Sequence, residues 1–108
     1  MAYLNLETNL PSSVVTQEFR KNLYQLIAKN LPDSNRLIMN VITDSPIIHG
    51  LSDKPYTLYH LTSTNGLGVQ ENKVHSKNIT DLTQAELGVT LHRIKTLFHI
   101  LNPHELSC

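Results

Sequence analysis

The order strand, helix, strand is spelled twice along these 108 residues, and no other feature restricts the fold as much. Leu4, Leu6 and Thr8 alternate with Tyr3, Asn5 and Glu7, the period of two expected of a strand with two different faces. Asn9-Leu10-Pro11-Ser12-Ser13 ends it. Val15, Phe19, Leu23, Leu26, Ile27 and Asn30 then recur at helical spacing, with Ser12 and Ser13 as N-cap candidates. The helix must stop near Leu31-Pro32-Asp33, because proline cannot continue a helix interior. Leu37 to Ile42 is an apolar run of strand length.

A polar connection with turn residues at Asp44, Pro46, Gly50, Asp53 and Pro55 precedes the second unit. Thr57 to Thr62 reads as a strand, and Asn65-Gly66-Leu67-Gly68 as a turn. Val74, Ile79, Leu82 and Ala85 mark a helix that Gly88 can cap. Arg93 to Leu101 reads as the last strand. Two βαβ units in one chain of this length predict an α+β fold, a four-stranded mixed sheet with both helices on one face, over a single domain 1–108. The other face stays open, and Tyr3, Asn5, Met39, Val41 and Tyr59 are expected on it. Self-association around a symmetry axis is one way to cover such a face.

Composition narrows the function. Nine basic and nine acidic residues cancel and neither sign is clustered, so the basic stripe of a nucleic-acid binder is missing. No apolar run approaches the ~18 residues of a membrane span, and no leader precedes the first strand. A cytosolic, soluble product is expected. In that compartment the sequon Asn78-Ile79-Thr80 carries no glycan. The six histidines show no i, i+4 pair and no cysteine partner, so local spacing indicates no metal site and no cofactor. The lone cysteine, Cys108, has no intrachain disulfide partner and is expected to be accessible and chemically unimportant. Met1 followed by Ala predicts trimming to a free Ala2 amine.

Several segments fall in one order: Thr8-Asn9-Leu10-Pro11 after the first strand, Asp44 after NVIT, GLSDKP at 50–55, ENKVHS at 71–76 and LGVTLHRI at 87–94. Together they resemble the family of macrophage migration inhibitory factor and D-dopachrome tautomerase over nearly the whole chain. The resemblance implies a homotrimer of ferredoxin-like subunits with a small pocket between neighbours. It also implies keto–enol tautomerisation of a small aromatic keto acid such as phenylpyruvate, or of dopachrome-like compounds. Members act as cytokine-like ligands, with a cell-surface receptor as partner, and leave the cytoplasm without a leader.

The same resemblance marks where this chain departs. The family's catalyst is an N-terminal proline whose secondary amine acts as a general base; that position is Ala2. The lysine that pairs with the substrate carboxylate falls on Pro32, and the Ile-Gly pair after the third strand falls on Thr64-Asn65. The pocket tyrosine and asparagine of the fourth strand fall on Lys95 and Leu97. A Cys-x-x-Cys falls on Tyr56 to Tyr59, and the glycine-rich tail lies beyond Cys108, an absence expected to weaken a trimer. These substitutions lead to the expectation of a cytokine-like or regulatory homotrimer with tautomerase activity weak or lost. The alternatives are an active tautomerase using the Ala2 amine or Lys95, and a ferredoxin-like regulatory binding domain.

Overall fold

The computed structural model describes residues 1–32 and 36–102. The expectations for Cys108, and for the turn residues Asp33, Ser34 and Asn35, lie outside the described residues. The elements follow the duplicated order: β1 (Ala2–Thr8), α1 (Gln17–Lys29), β2 (Leu37–Ile42), β3 (Thr57–Ser63), α2 (Val69–Leu87), a short 3-10 turn (Leu91–Arg93) and β4 (Ile94–Ile100). The sheet order is β2-β1-β3-β4. β1 runs parallel to β2 and antiparallel to β3, and β3 runs parallel to β4. Each βαβ unit therefore contributes one parallel pair, and the two units join through their first strands.

The inner face carries Ala2, Leu4 and Leu6 of β1 and Tyr59 and Leu61 of β3, packed with Phe19, Leu23 and Ile27 of α1 and Ile79 of α2. Each fully buried side chain of this size stabilises the fold by roughly 1.5–3 kcal/mol relative to exposure. Two details of the helices differ from the sequence reading. Thr16, not Ser12 or Ser13, caps α1, its Oγ1 accepting from the Phe19 N–H at 3.1 Å. Pro11 to Val15 instead forms a turn of its own, with the Val14 N–H donating to the Pro11 carbonyl at 3.0 Å. In α2 the buried line is His75, Ile79 and Thr83, four residues apart, while Val74 and Ala85 face solvent. Gly88 does cap α2, in the left-handed region at φ 67°.

The open face is only partly the expected one. Tyr3 and Asn5 lie on it, but Tyr59 is fully buried, and Met39 and Val41 pack against the core. Register explains the difference: Tyr59 pairs with inward Leu6, and Met39 and Val41 pair with Leu4 and Leu6. The open face instead presents Tyr3, Ile38, Ile42, Leu58 and Leu97 among Asn5, Asn40, His60, Lys95 and His99.

The long connection is pinned by polar groups. Asn9 Nδ2 donates to the Asp53 and Lys54 carbonyls at 3.0 and 2.8 Å, and Asn9 Oδ1 accepts from the Tyr56 N–H at 2.8 Å. From the other side Arg93 donates to the carbonyls of Pro55 at 2.9 Å and Lys54 at 2.7 Å, and its guanidinium lies 5.2 Å from the Tyr56 ring centroid. Asn9 and Arg93 thus fix the segment that enters β3, a physical reason for the motifs around residues 8–11, 50–55 and 87–94.

Inside the core, Thr83 Oγ1 gives its one proton to the Ile79 carbonyl at 2.7 Å, so the Tyr59 hydroxyl must donate to Thr83 Oγ1 at 2.6 Å. Burial pushes the Tyr59 phenol well above its ordinary value. A proton held by the folded state but released by the unfolded one makes stability fall as pH rises through the ordinary phenol range near about 10. Tyr59→Phe should cost about 1 kcal/mol at neutral pH. It should also remove a loss of about 1.4 kcal/mol per pH unit above pH ~10. Urea unfolding at pH 7 and pH 10.5 tests both; equal alkaline losses in the two proteins would contradict the buried phenol.

Candidate functional site

The amino-terminal end of β1 is where the resemblance puts chemistry, and the sheet builds it from three segments. Ala2 pairs with Leu37 of β2 and Ser63 of β3 and is 3% exposed. The residue before it is tied to the loop after β3: the Met1 amine donates to Thr64 Oγ1 at 3.3 Å, and the Thr64 N–H donates to the Met1 carbonyl at 3.2 Å. Ser63 Oγ donates to the Asn65 carbonyl at 2.5 Å and closes the turn. The next residue, Gly66, has φ +78°, and a Cβ there would come within 2.6 Å of Pro32 Cδ and 3.0 Å of Leu31 Cδ2. Ala2, Thr64 and Pro32 therefore gather at one end of one chain.

Behind this loop stands His75, 2% exposed. A carbonyl oxygen only accepts, so the 3.3 Å contact assigns the proton to Nε2, which donates to the Gly66 carbonyl. Nδ1 is then a buried acceptor without a hydrogen-bond partner among the described residues. His75 of the ENKVHS segment acts on the site through the backbone of Gly66.

Lys95 and Leu97 are elsewhere. They pair with Leu58 and His60, well down β3 from the Ser63 that flanks Ala2, and they project from the open face while Ala2 faces the core. One chain does not bring them to Ala2. The register does bring a residue that sequence reasoning missed: the exposed Arg36 directly precedes Leu37, the partner of Ala2. The missing signal was the parallel register itself, which no spacing along the chain reveals.

Chemically, this end offers a primary amine, a threonine hydroxyl and an apolar wall. Pro32 supplies no charge where the resemblance expects a cation. Among the described residues no group of three or more His, Cys, Asp or Glu is placed to hold a metal. No helix among them is long and apolar enough to cross a membrane.

A family model described as macrophage migration inhibitory factor (MIF) matches residues 1–108. The chain belongs to that family. The Caenorhabditis elegans MIF-like protein mif-2 is 25% identical over 104 residues, 95% of this chain and 87% of that protein. A macrophage migration inhibitory factor homolog of Trichinella spiralis is 25% identical over 108 residues, 99% of this chain and 95% of that one. The solved structure of the factor from Trichinella spiralis superposes with TM-score 0.91 at 23% identity, covering 98% of this chain and 95% of that chain. The factor from Oncomelania hupensis gives TM-score 0.91 at 18% identity, covering 98% and 92%. At such identity the superpositions speak for the fold, and this MIF family chain keeps it with its own set of residues at the amino-terminal end.

The crowding at Gly66 yields a direct test. Gly66→Ala adds both left-handed strain and overpacking against Pro32, and should cost about 1–3 kcal/mol. The amide resonance of Thr64 should shift with it, since Thr64 is two residues away and bonded to Met1. An unchanged melting temperature would contradict the close approach of this loop to Pro32.

Proposed function

We propose that this MIF family protein works through its surface, as a cytokine-like or regulatory homotrimer formed by a single domain, 1–108, with tautomerase activity weak or lost. On this reading it occurs in the cytoplasm and in the extracellular space, and its partners are copies of itself and a cell-surface receptor. The observation that supports the reading is the amino-terminal end: the scaffold, strand register and pinned loops are in place, and Ala2, Pro32 and Thr64 stand at the positions to which the resemblance assigns the base and the substrate contacts. A general base must meet a correctly held substrate, and Pro32 holds no carboxylate.

Assembly has its own support. β2 and β4 are edge strands, and the open face carries Tyr3, Ile38, Ile42 and Leu97 at 36–48% exposure. Unpaired strand edges beside an apolar face favour association with further copies. Light scattering at micromolar concentration should give three times the chain mass. A monomer mass at that concentration counts against the assembly.

One observation favours a second reading, an active tautomerase. Trimming of Met1 would expose the Ala2 amine between Leu37 and Ser63, with Arg36 next to Leu37 as a cation from a new direction. Lys95 serves this reading only if a neighbouring copy brings its open face to that amine. Substitution separates the two readings. Ala2→Pro alone should raise phenylpyruvate tautomerisation by less than about tenfold, because positioning is still missing. Ala2→Pro with Pro32→Lys and Lys95→Tyr should raise it further. A full gain from Ala2→Pro alone would show that substrate is already held, with Arg36 the first residue to suspect.

A further inference from the structure

Asn65-Gly66 is the one place in the chain where glycine follows asparagine; every other asparagine precedes a residue that carries a side chain. The pair lies in the turn after β3, with Asn65 exposed and Gly66 at φ +78°. The Ser63 hydroxyl clamps the Asn65 backbone, donating to its carbonyl at 2.5 Å and accepting from its N–H at 3.3 Å. Among the described residues neither the Asn65 carboxamide nor the Gly66 N–H has a hydrogen-bond partner. Other asparagines are held: the carboxamides of Asn9, Asn30, Asn40 and Asn72 are each bonded to a neighbour at 3.1 Å or less. The turn stands at the end of β3 and is not part of the open face of the sheet.

We propose that Asn65 is a site of self-modification, at which the Gly66 backbone nitrogen attacks the Asn65 side chain and water then leaves chiefly isoaspartate. In the first step the bond from Gly66 N to Asn65 Cγ forms and the Cγ–Nδ2 bond breaks. The proton on Gly66 N leaves with the departing amine as ammonia, and a cyclic imide remains. Water then opens the imide. Opening at Cγ restores the ordinary chain with aspartate; opening at the backbone carbonyl carbon joins residue 65 to Gly66 through Cγ and frees an α-carboxylate, which is isoaspartate. NH is exchanged for O, and nothing is oxidised or reduced. Gly66 has no side chain to obstruct its nitrogen, and ring closure breaks no hydrogen bond of the turn. The Ser63 hydroxyl polarises the backbone carbonyl of residue 65, the carbon whose attack by water gives isoaspartate.

The product changes the amino-terminal end in charge and in length. A carboxylate appears next to Thr64, whose N–H and Oγ1 hold Met1. Isoaspartate also lengthens the backbone by one carbon directly before Gly66. That residue has little room to yield, since even a Cβ on it would lie 2.6 Å from Pro32 Cδ and 3.0 Å from Leu31 Cδ2. The lengthened turn must give up this packing, or the bond from His75 Nε2 to the Gly66 carbonyl at 3.3 Å, or both. The loop beside Ala2 therefore carries a slow, one-way change of state that is set by time in water and needs no enzyme. The inference needs one chain only and does not depend on the functional reading above.

The test is peptide mapping by mass spectrometry of the full chain during incubation at pH 8 and 37 °C, with circular dichroism confirming that it stays folded. Wild type should convert Asn65 at least tenfold faster than Asn9, Asn40 or Asn72. The product should be mainly isoaspartate, read by methyl transfer from S-adenosylmethionine with an isoaspartyl methyltransferase. Nuclear magnetic resonance of the aged protein should show the Thr64 and His75 resonances displaced from those of fresh protein. Asn65→Gln, which lengthens the side chain and disfavours the ring, should abolish both the conversion and the displacement. If Asn65→Gln fails to fold, the comparison among asparagines within wild type decides. Conversion of Asn65 no faster than that of the held asparagines, aspartate as the main product, or conversion that leaves Thr64 and His75 unmoved overturns the proposal.

Discussion

Everything in this molecule hangs on the antiparallel pairing of β1 with β3, the two central strands that join the first unit to the second. β1 pairs in turn with parallel β2, and β3 with parallel β4, so every strand takes its register from this central pair. The inner residues Ala2, Leu4 and Leu6 of β1 form the floor on which α1 rests. At the far end of β1 Thr8 Oγ1 donates to the Tyr56 carbonyl at 2.7 Å, and Asn9 grips the backbone of 53–56. A strand so placed cannot shift by one residue without turning its core side chains to solvent. The position of Ala2 is therefore fixed by packing, whatever chemistry its amine retains.

What holds the fold at this end is backbone pairing and packing, which is separable from the chemistry that the proposal concerns. The groups that hold the loops, Asn9, Arg93, Gly66 and His75, act on backbone carbonyls or on close packing. None of them is required to touch a substrate. Ala2 in the core floor, Thr64 bonded to Met1 and Pro32 packed on Gly66 share in that framework through backbone and packing, not through the chemistry that the resemblance assigns to their positions.

The duplicated strand-helix-strand order was legible in the sequence because alternation and helical spacing report elements directly. Which face of a strand is covered was not. Tyr59 alternates as readily outward as inward, and only pairing with Leu6 decides it. Val74 looked like a core residue of α2 because it is apolar. Beside Ile79 the buried positions are His75 and Thr83; His75 Nε2 finds its partner in Gly66 and Thr83 Oγ1 in Tyr59, contacts of which only the first residue of each pair lies in the helix. For the same reason Thr64 and Pro32 were found at the amino-terminal end through the family resemblance, whereas Arg36 emerged only from the register of parallel strands.

The central claim is that an intact family scaffold carries a site that no longer serves the family's tautomerisation. The most direct measurement is turnover of phenylpyruvate by untagged wild-type protein whose first residue has been established by mass spectrometry, beside a family member that has the N-terminal proline. The account predicts turnover at least a hundredfold lower here, the low end of what positioned acid–base catalysis contributes, about 10²–10⁴. Turnover comparable to that of the proline enzyme would contradict it, and would mean that a primary amine on this scaffold performs the reaction.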